Sequence, residues 1–500
     1  MIEQLVVENL KAFGGRHEIE LAPITLVYGP NSAGKSSLLQ VLAILKQTLE
    51  PRAGRSDIDR PPLNLRGNLV DLGSFGAAIY RHDLTQHLSF GVQVSTPPPD
   101  RGRPHLRAGQ SGYVELSFGF DQKTHAVTHA KVTVGIDEHH VRFRSTRPPA
   151  SSVDPITGTE RFFRVDRKSD VASLDALLAG VLGRYPSDGQ VLLDAYRQLM
   201  AVQGKPLFYG REFFPSSPWA RDWRPPDTSF TSSWLSYRIG DIVYGPAVAV
   251  ISELSQLAYL GPLRAAPTRF QARSGAVYSS VGARGEDTPL VLLQEKELIK
   301  PVNRWLSILG IHYTLEVAPV ETDAIGLEIG DLVVTRLIDS RSGIAVTPQD
   351  VGFGISQLLP VVVQSLAGND RTICVEQPEI HIHPRLQAEI ADLFIEAAEK
   401  HRNQMIIETH SEQLMLRLQR RIRDGTLSPE KVCVLYVDSD DTGVATAQRL
   451  QLSKSGRFED EWPNGFFAER LDELLPRSAP PPARRGNAKR SRQSAQGSQQ

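Results

Sequence analysis

Apolar positions follow two different periods within the first fifty residues. Short continuous apolar runs at Ile2–Val7 and Ile24–Tyr28 are typical of buried strands, whereas leucines recur at helical spacing within Lys35–Leu49. Glycines separate the second run from the helical segment. The pattern therefore predicts a strand, a glycine loop and a helix in direct succession.

The middle of the chain has a less regular pattern. Alternating polar and apolar residues between about 88 and 144 predict an antiparallel sheet, and helices are predicted near 173–203, 233–257 and 290–309. The stretch 96–112 is rich in Pro, Gly and Arg and is predicted to be a disordered loop. Prolines recur throughout, which excludes long coiled-coil arms.

After Val351 the pattern becomes a regular alternation of helices and strands. The predicted elements are a helix at Ile355–Leu366, a strand at Thr372–Val375, a helix at Arg385–Lys400, a strand at Gln404–Ile407 and a strand at Lys431–Asp438. Such alternation is typical of an α/β fold with a mostly parallel sheet.

These patterns divide the chain into five regions. We expect an N-terminal lobe at 1–90, a mixed α/β insertion at 91–257, a C-terminal lobe at 258–455, an appendage at 456–476 and a tail at 477–500. The tail is rich in Pro, Ser, Gln and Arg, and it is predicted to be disordered.

Composition narrows the class of protein. The chain has 500 residues and 40% hydrophobic content, enough for a sizeable core, and a net charge of −1, which argues against a nucleic-acid binder charged over its whole surface but leaves room for a local basic patch. No apolar run approaches the roughly 20 residues that span a bilayer, and no signal peptide is recognisable. We expect a cytoplasmic protein without membrane contact, in which Cys374 and Cys433 are buried apolar residues.

The strongest chemical signal is the segment Gly29–Ser36, which fits the pattern G-x-x-x-x-G-K-[ST] between a strand and a helix. Its glycines let backbone amides turn towards phosphate oxygens, Lys35 reaches the terminal phosphates, and the Ser36 hydroxyl ligates Mg²⁺. The pattern predicts ATP and Mg²⁺ as cofactors. The candidate nucleotide-binding residues of this loop are Gly29, Asn31, Ser32, Ala33, Gly34, Lys35, Ser36 and Ser37.

A second signal is the apolar strand that ends in Glu376-Gln377-Pro378-Glu379. P-loop ATPases need an acid at such a strand end to hold magnesium, and a further group to position the attacking water. Glu376 fits the first role.

Two weaker signals lie on either side of this strand. The segment Ile406–Ser411 ends an apolar strand with His410, which could contact a γ-phosphate or the water. The segment Asp350–Leu358, called the signature segment below, is a glycine turn that opens a helix and is a candidate second anion site. Its candidate residues are Gly352, Gly354 and Ser356.

Together these motifs resemble the SMC/RecF/OLD-like branch of ABC ATPases. The residues that carry the likeness are Asn9–Phe13, the P-loop, Glu376–Pro384, Glu408–Ser411, Tyr259–Arg264 and Gly282–Glu286. The chain also looks like prokaryotic AAA-family ATPases that end in a domain of unknown function, here represented by residues 462–474. The likeness covers about 1–90 and 258–475.

The resemblance implies an ATPase head assembled from both chain ends that closes as an ATP-sandwich homodimer. Lys35 and Ser36 of one protomer would face the partner's signature segment, His383 would lie in the loop exchanged between protomers, and Lys11 would approach the nucleotide. His410 would be the switch histidine. Two positions depart from the family pattern, because Gly352 replaces the usual signature serine and Gln377 replaces the usual catalytic glutamate. A glutamine orients a water but cannot accept its proton, so hydrolysis with Gln377 at this position would be slow. Glu379 is the other candidate for positioning the water.

Four further features have a structural interpretation as well as a functional one. His381 and His383 resemble a zinc pair but lack a cysteine partner, and Asp438-Ser-Asp440-Asp441 resembles the paired acids of a TOPRIM nuclease without its upstream element. The arginines of the segment 417–423 could follow a phosphate path or form a solvated helix face. Arg264 could reach a phosphate or anchor the insertion.

Two functions fit this sequence. The preferred hypothesis is a slow, ATP-driven dimer switch in a prokaryotic antiphage defence or stress system, which acts on a separate effector protein. The alternative is a RecF-like DNA-maintenance ATPase that clamps duplex DNA and loses affinity steeply with salt.

Overall fold

The computed structural model describes residues 1–50, 62–95, 106, 109–146, 161–165, 167–182, 189–203, 207–211, 214–218, 232–273, 275–320, 332–460 and 462–463. The chain divides into one unit at Met1–Asp460 and a second at Glu461–Gln500. The predicted tail at 477–500 lies outside the described residues, as do most of the appendage at 456–476 and most of the predicted loop at 96–112.

The first half of the chain forms mainly strands. The strands are β1 (Ile2–Leu10), β2 (Phe13–Glu20), β3 (Ile24–Tyr28), β4 (Leu88–Ser95), β5 (Ser111–Asp121), β6 (Ala126–Ile136), β7 (His139–Thr146), β8 (Arg161–Arg164), β9 (Leu207–Arg211) and β10 (Phe214–Pro218). The helices are α1 (Lys35–Leu49), α2 (Phe75–Ala78), α3 (Lys168–Leu182), α4 (Gly189–Gln203) and α5 (Ser232–Ser255).

Nine of these strands form one antiparallel sheet in the order β10-β9-β8-β7-β6-β5-β4-β1-β2. The strands of the predicted insertion thus continue the sheet that β1 and β2 begin, through the pairing of β4 with β1. Side chains alternate across the sheet, as the period of two predicts. Val114, Leu116 and Phe118 belong to the hydrophobic core, and helix α5 packs against β4, β5 and β6.

The second half supplies the remaining elements. The strands are β11 (Ala258–Leu260), β12 (Phe270–Ala272), β13 (Tyr313–Pro319), β14 (Leu332–Asp339), β15 (Ala345–Val346), β16 (Thr372–Glu376), β17 (Gln404–Glu408), β18 (Val432–Ser439) and β19 (Ala445–Leu450). The helices are α6 (Thr288–Gln294), α7 (Ile299–Ile308), α8 (Phe353–Leu366), α9 (Pro384–Lys400) and α10 (Glu412–Arg423). Strands β12 to β15 form a small antiparallel sheet of their own.

A six-stranded sheet joins the two ends of the chain, in the order β11-β16-β17-β3-β18-β19. Strand β3 pairs in parallel with β17 on one side and with β18 on the other, and only β19 is antiparallel. This arrangement confirms the predicted α/β fold with a mostly parallel sheet built from both chain ends. Cys374 in β16 and Cys433 in β18 are buried and form no disulfide, as predicted.

A buried glutamine ties the two sheets together. Gln404, the first residue of β17, donates from Nε2 to the carbonyl oxygens of Ile2 (2.7 Å) and Ala22 (3.2 Å), and its Oε1 accepts from the Ile2 amide at 2.9 Å. These bonds satisfy backbone groups that are buried away from water. In the part of the chain that the structure describes, no helix has the length and apolarity to cross a membrane.

We expect Gln404→Ala to lower the free energy of unfolding by about 3 kcal/mol, because the buried backbone amide and carbonyl groups of Ile2 lose the side chain that bonds to both. Urea denaturation measures the loss. Gln122→Ala, at an exposed position in the turn between β5 and β6, is the control and should change stability by less than about 0.5 kcal/mol. Equal effects of the two substitutions would contradict this account of the sheet junction.

Candidate functional site

The P-loop lies between β3 and α1 and depends on two glycines. Gly29 has φ +144°, and a Cβ there would lie 1.9 Å from the carbonyl oxygen of Val437 in the neighbouring strand β18. Gly34 has φ +104° and is the N-cap of α1. Because larger residues strain or clash at these positions, the sequence folds locally into a loop that leads directly into the helix N-terminus.

The remaining candidate residues of the loop lie around this turn. Ser32 has φ +63°, the amide of Ala33 donates to the Pro30 carbonyl oxygen, and the amide of Ser37 donates to the Gly34 carbonyl oxygen. Ala33 and Ser37 are buried, whereas Asn31 is exposed. Asn31 and Ser32 thus lie on the open side of the loop.

Lys35 folds back into the loop that it follows. Its Nζ donates to the Pro30 carbonyl oxygen at 2.7 Å, and its side chain is largely buried. Burial lowers the pKa of Lys35, while the nearby carboxyl groups of Glu408 and Glu379 act in the opposite direction. The ammonium therefore lies between the P-loop and two acids that come from the other end of the chain.

Glu376 ends β16 and is almost completely buried. The Tyr259 hydroxyl, at the middle of the adjacent strand β11, donates to its Oε1. Burial raises the pKa of Glu376 to about 7, and the negative charge of Glu408 adds to this shift. Burial and the charge of Glu408 thus disfavour the charged form of the Glu376 carboxyl group, and a nearby cation would favour it.

Glu408 is a central residue of the site, although no role was predicted for it from the sequence. Strands β16 and β17 pair in register, with Glu376 opposite Glu408. The Ser36 hydroxyl bonds to the Glu408 side chain, and the side-chain amide of Gln377 donates to Glu408 Oε1 at 3.4 Å. Burial raises the pKa of Glu408. A signal was present in the sequence, because Glu408 ends an apolar strand just as Glu376 does.

The two candidates for positioning water have different surroundings. Gln377 has φ +47°, and its backbone amide donates to the backbone carbonyl oxygen of Glu408 at 2.7 Å. The Glu379 Oε1 accepts from the His410 amide at 2.6 Å, and burial raises the pKa of Glu379. Glu379 is therefore a largely buried acid held beside His410 and close to Lys35.

His410 follows β17 and faces the same site. Burial lowers its pKa, and the positive charge of Lys35 lowers it further, so the imidazole is neutral near pH 7. Within the described ranges its Nε2 is buried and lacks a hydrogen-bond partner. A buried ring nitrogen without a partner fits a ligand oxygen or a water at this position.

Two further cations approach the acids. Lys11 donates from Nζ to Gln40 Oε1 at 2.9 Å, and burial lowers its pKa while Glu376 acts in the opposite direction. Arg264 is buried and donates from Nη1 to the Pro262 carbonyl oxygen. Burial lowers its pKa to about 10, and its Nε and Nη2 have no hydrogen-bond partner among the described residues. Unused guanidinium donors beside Glu376 favour the phosphate interpretation of Arg264 over a purely structural one.

The signature segment opens helix α8, with Gly352 as its N-cap. A Cβ at Gly354 would lie 2.7 Å from the carbonyl oxygen of His381, so only glycine allows this close contact with the segment that follows Glu379. Ser356 is buried in the first turn. At Gly352 a Cβ would have no neighbour within 4 Å, and this end of the segment is open.

These residues fit ATP and Mg²⁺. Mg²⁺ is usually held by one or two carboxylates together with water and phosphate oxygens, and Glu376, Glu408 and Ser36 supply such donors. The described residues contain no group of three or more His, Cys, Asp and Glu side chains arranged to hold a metal by themselves. The neutral His410 ring and the Arg264 donors suit phosphate oxygens.

Other candidate sites have structural roles. Asp440 accepts from the amides of Thr442 and Val444 and closes the turn between β18 and β19, so the predicted acid pair belongs to the ATPase sheet rather than to a nuclease domain. The Nδ1 of His383 accepts from the Arg385 amide and caps helix α9. These contacts favour the structural interpretation of both features.

Three of the four arginines of α10 are paired within the protein. Arg417 bonds to Glu389 and Asp392 of α9, and Arg421 also bonds to Asp392. Arg420 forms an ion pair with Asp424 at 3.5 Å. Arg417 and Arg421 thus hold α10 against α9, and these local pairs favour the structural interpretation over a phosphate path.

Comparison with known proteins agrees with this geometry. The family described as an AAA ATPase domain matches residues 303–415, and the family described as an AAA domain, putative AbiEii toxin, Type IV TA system, matches residues 24–173. The OLD nuclease of Thermus scotoductus is 29% identical over 146 residues, which are 27% of this chain and 27% of the relative. The match thus spans about a quarter of the relative's length.

Two solved structures are similar over most of the chain. An SMC head bound to the C-winged helix domain of ScpA has 11% identity and a TM-score of 0.42, and covers 91% of this chain and 99% of its own. The SMC head domain from Thermotoga maritima has 10% identity and a TM-score of 0.37, and covers 90% and 99%. The two family matches and the OLD-type relative support the resemblance to AAA ATPases of the SMC/OLD-like kind that the sequence motifs carry.

Proposed function

We propose that this chain is a slow ATPase that works as a nucleotide-driven homodimer switch. The observation that carries the proposal is the convergence of the P-loop, which follows β3, with the buried acids Glu376 and Glu408 at the carboxyl ends of β16 and β17 and with the partly buried Glu379. Ligands of parallel α/β sheets bind at this edge. The acids come from residues 376–408 and the P-loop from residues 29–37, so the site exists only when both chain ends are folded together.

Each residue has a role that follows from its position. The amides of Gly29–Ser36 and the N-terminus of α1 hold the phosphates, and Lys35 exchanges its bond to the Pro30 carbonyl oxygen for the terminal phosphates. Ser36 and Glu376, assisted by Glu408, hold Mg²⁺, which neutralises charge on the phosphates. Lys11 and Arg264 add positive charge on the side of Glu376.

Glu379 is the group that accepts a proton from the attacking water in this proposal. It is an acid with a raised pKa beside His410, whereas Gln377 has no basic group and bonds to Glu408. A base with a raised pKa accepts a proton more readily. Because Gln377 stands where relatives of this kind carry the usual acid, turnover is slow and the ATP-bound state is long-lived.

The signature segment supplies the second half of each site in trans. Gly352 is open to solvent in the single chain, and it lies at the N-terminus of α8, where backbone amides attract an anion. Binding of ATP between two copies would stabilise the dimer by its differential affinity for the closed state. Hydrolysis would then release the partners.

In this proposal the switch acts on a separate effector protein. The family description that includes a putative AbiEii toxin and a type IV TA system, together with the OLD nuclease relative, supports a place in a prokaryotic defence system. The acidic turn at Asp440 has a structural role, so we assign no nuclease site to this turn.

We expect ATP turnover to be abolished by Lys35→Ala, lowered about 10²-fold by Glu379→Gln and raised at least about tenfold by Gln377→Glu. Turnover of purified protein with Mg²⁺ measures all three. Glu399→Gln, an exposed acid on α9 that pairs with Lys431, is the matched control and should leave turnover unchanged. Turnover that survives Lys35→Ala would sink the proposal, and strong stimulation by duplex DNA would replace the switch with the RecF-like alternative.

A mixing experiment tests whether each site is shared between two protomers. Gly352→Asp places a carboxylate in open space, so the fold should persist while the phosphate is repelled. Gly352→Asp and Lys35→Ala should each be inactive alone. Equal mixing should restore between about a quarter and about a half of wild-type turnover, because each mixed dimer has one intact site of two, and mixed dimers are half of the total under random pairing and more if a variant pairs poorly with itself.

Gly352→Ala serves as the control for the mixing experiment, since it adds a side chain without a charge. It should retain most of the wild-type turnover. Mass measurement by sedimentation with ATP should show dimers for Gly352→Ala and monomers for Gly352→Asp. An absence of recovery in the mixture, with both single variants folded, would show that sites are not shared.

A further inference from the structure

The polar face of the nine-stranded sheet carries a concave surface. Two cavities of 570 and 510 Å³ lie along it and share four lining residues, His87, Lys131, Arg142 and Asp170. The shared residues make them one continuous groove. Volumes of this size are typical of ligand sites.

A single register row runs across the sheet along this groove. The cross-strand partners in sequence are Glu8, Ser89, Ser117, Lys131, Arg144 and Arg164, one from each of β1, β4, β5, β6, β7 and β8. Their neighbours on the opposite face, such as Val132 and Phe143, are buried in the core. The last three members are all cations, and we call Lys131, Arg144 and Arg164 the basic row.

The basic row is an electrostatically unfavourable arrangement in the protein alone. Lys131 lies directly opposite Arg144, and Arg144 lies directly opposite Arg164. Like charges opposite one another destabilise a pair of strands. None of the three has an ion pair or side-chain hydrogen bond to the described residues. Arg142 and Arg167 line the same groove and add two more positive charges, against which the lining of the 510 Å³ cavity offers one acid, Asp170.

The other end of the groove differs in charge. There Glu115 accepts from Arg16 at 2.8 Å and from the Tyr113 hydroxyl at 2.5 Å, Arg16 also pairs with Glu18 at 2.9 Å, and Glu8 lines the same cavity. Ser89 and Ser117 form the buried floor between the two ends and bond to each other at 3.2 Å. The groove therefore passes from an end that carries carboxylates to a basic end.

We propose that this groove binds single-stranded nucleic acid, with backbone phosphates on the basic row and nucleosides towards Ser89 and Ser117. Five cations exceed what one phosphate needs, and they are spread across three strands and the start of α3. Strands lie about 4.8 Å apart, so the row from β1 to β8 is about 24 Å long. An extended nucleic-acid strand fits a groove of this length better than a mononucleotide does, and charged grooves that follow the nucleic-acid backbone are how such strands are held.

The test is fluorescence anisotropy with labelled single-stranded DNA and RNA of about 12 nucleotides, in EDTA and without nucleotide, so that the P-loop site is not engaged. We expect binding that weakens with salt with a slope near −2, as about three neutralised phosphates would give. Lys131→Glu should weaken binding at least about tenfold, and Lys131→Gln should lower the salt slope by about 0.7. DNA and RNA as separate probes show which sugar the groove prefers.

Lys123→Glu is the matched control, because it makes the same charge change at the exposed turn between β5 and β6. It should leave binding unchanged. Thermal unfolding should show that both variants fold, since a glutamate at position 131 faces Arg144 and gains an opposite-charge partner. Absence of binding at low salt, equal losses in Lys123→Glu and Lys131→Glu, equal affinity for duplex, or displacement by equimolar inorganic triphosphate would each overturn the proposal.

Discussion

The parallel pairing of β3 with β17 and β18 is the interaction on which the whole site depends. Nearly 400 residues separate β3 from these partners, yet their registers fix which side chains meet at the carboxyl edge. Because side chains alternate along a strand, a shift of one residue in β17 would turn Glu408 away from Glu376. The hydrogen bonds of Gln404 to Ile2 and Ala22 hold that register at the other end of the strand.

Burial sets the electrostatics of the site in both directions. The carboxyl groups of Glu376 and Glu408 have raised pKa values, and the amines of Lys35 and Lys11 have lowered ones, because each loses water. The acids and bases thus compensate one another only in part. A ligand that combines a divalent cation with a polyanion satisfies both sets at once, which explains why the protein places them together instead of pairing them fully.

Local sequence signals were sufficient for much of the fold. Helix α1 and strand β3 have the bounds that their apolar patterns predict. Strands β16 and β17 end one residue later than predicted, and β18 begins and ends one residue later. Strand β2 was missed because Gly14, Gly15 and several charges interrupt its pattern, and its edge position leaves those side chains in solvent. The site was predicted wherever a motif is contiguous. The contacts of Glu408 with Ser36 and of Tyr259 with Glu376 join segments that are distant in sequence. They could not be predicted, because neither segment alone determines how the strands align in the sheet.

Strand β1 belongs to two environments at once. Glu8 begins the row that leads to the basic groove, and three residues later Lys11 approaches the acids of the ATPase site. The strand is hydrogen-bonded on both sides, to β2 and to β4, so it moves with the sheet and not by itself. If occupation of the groove displaces this strand, the two ligands are linked: the factor by which one changes the affinity for the other must be equal in both directions.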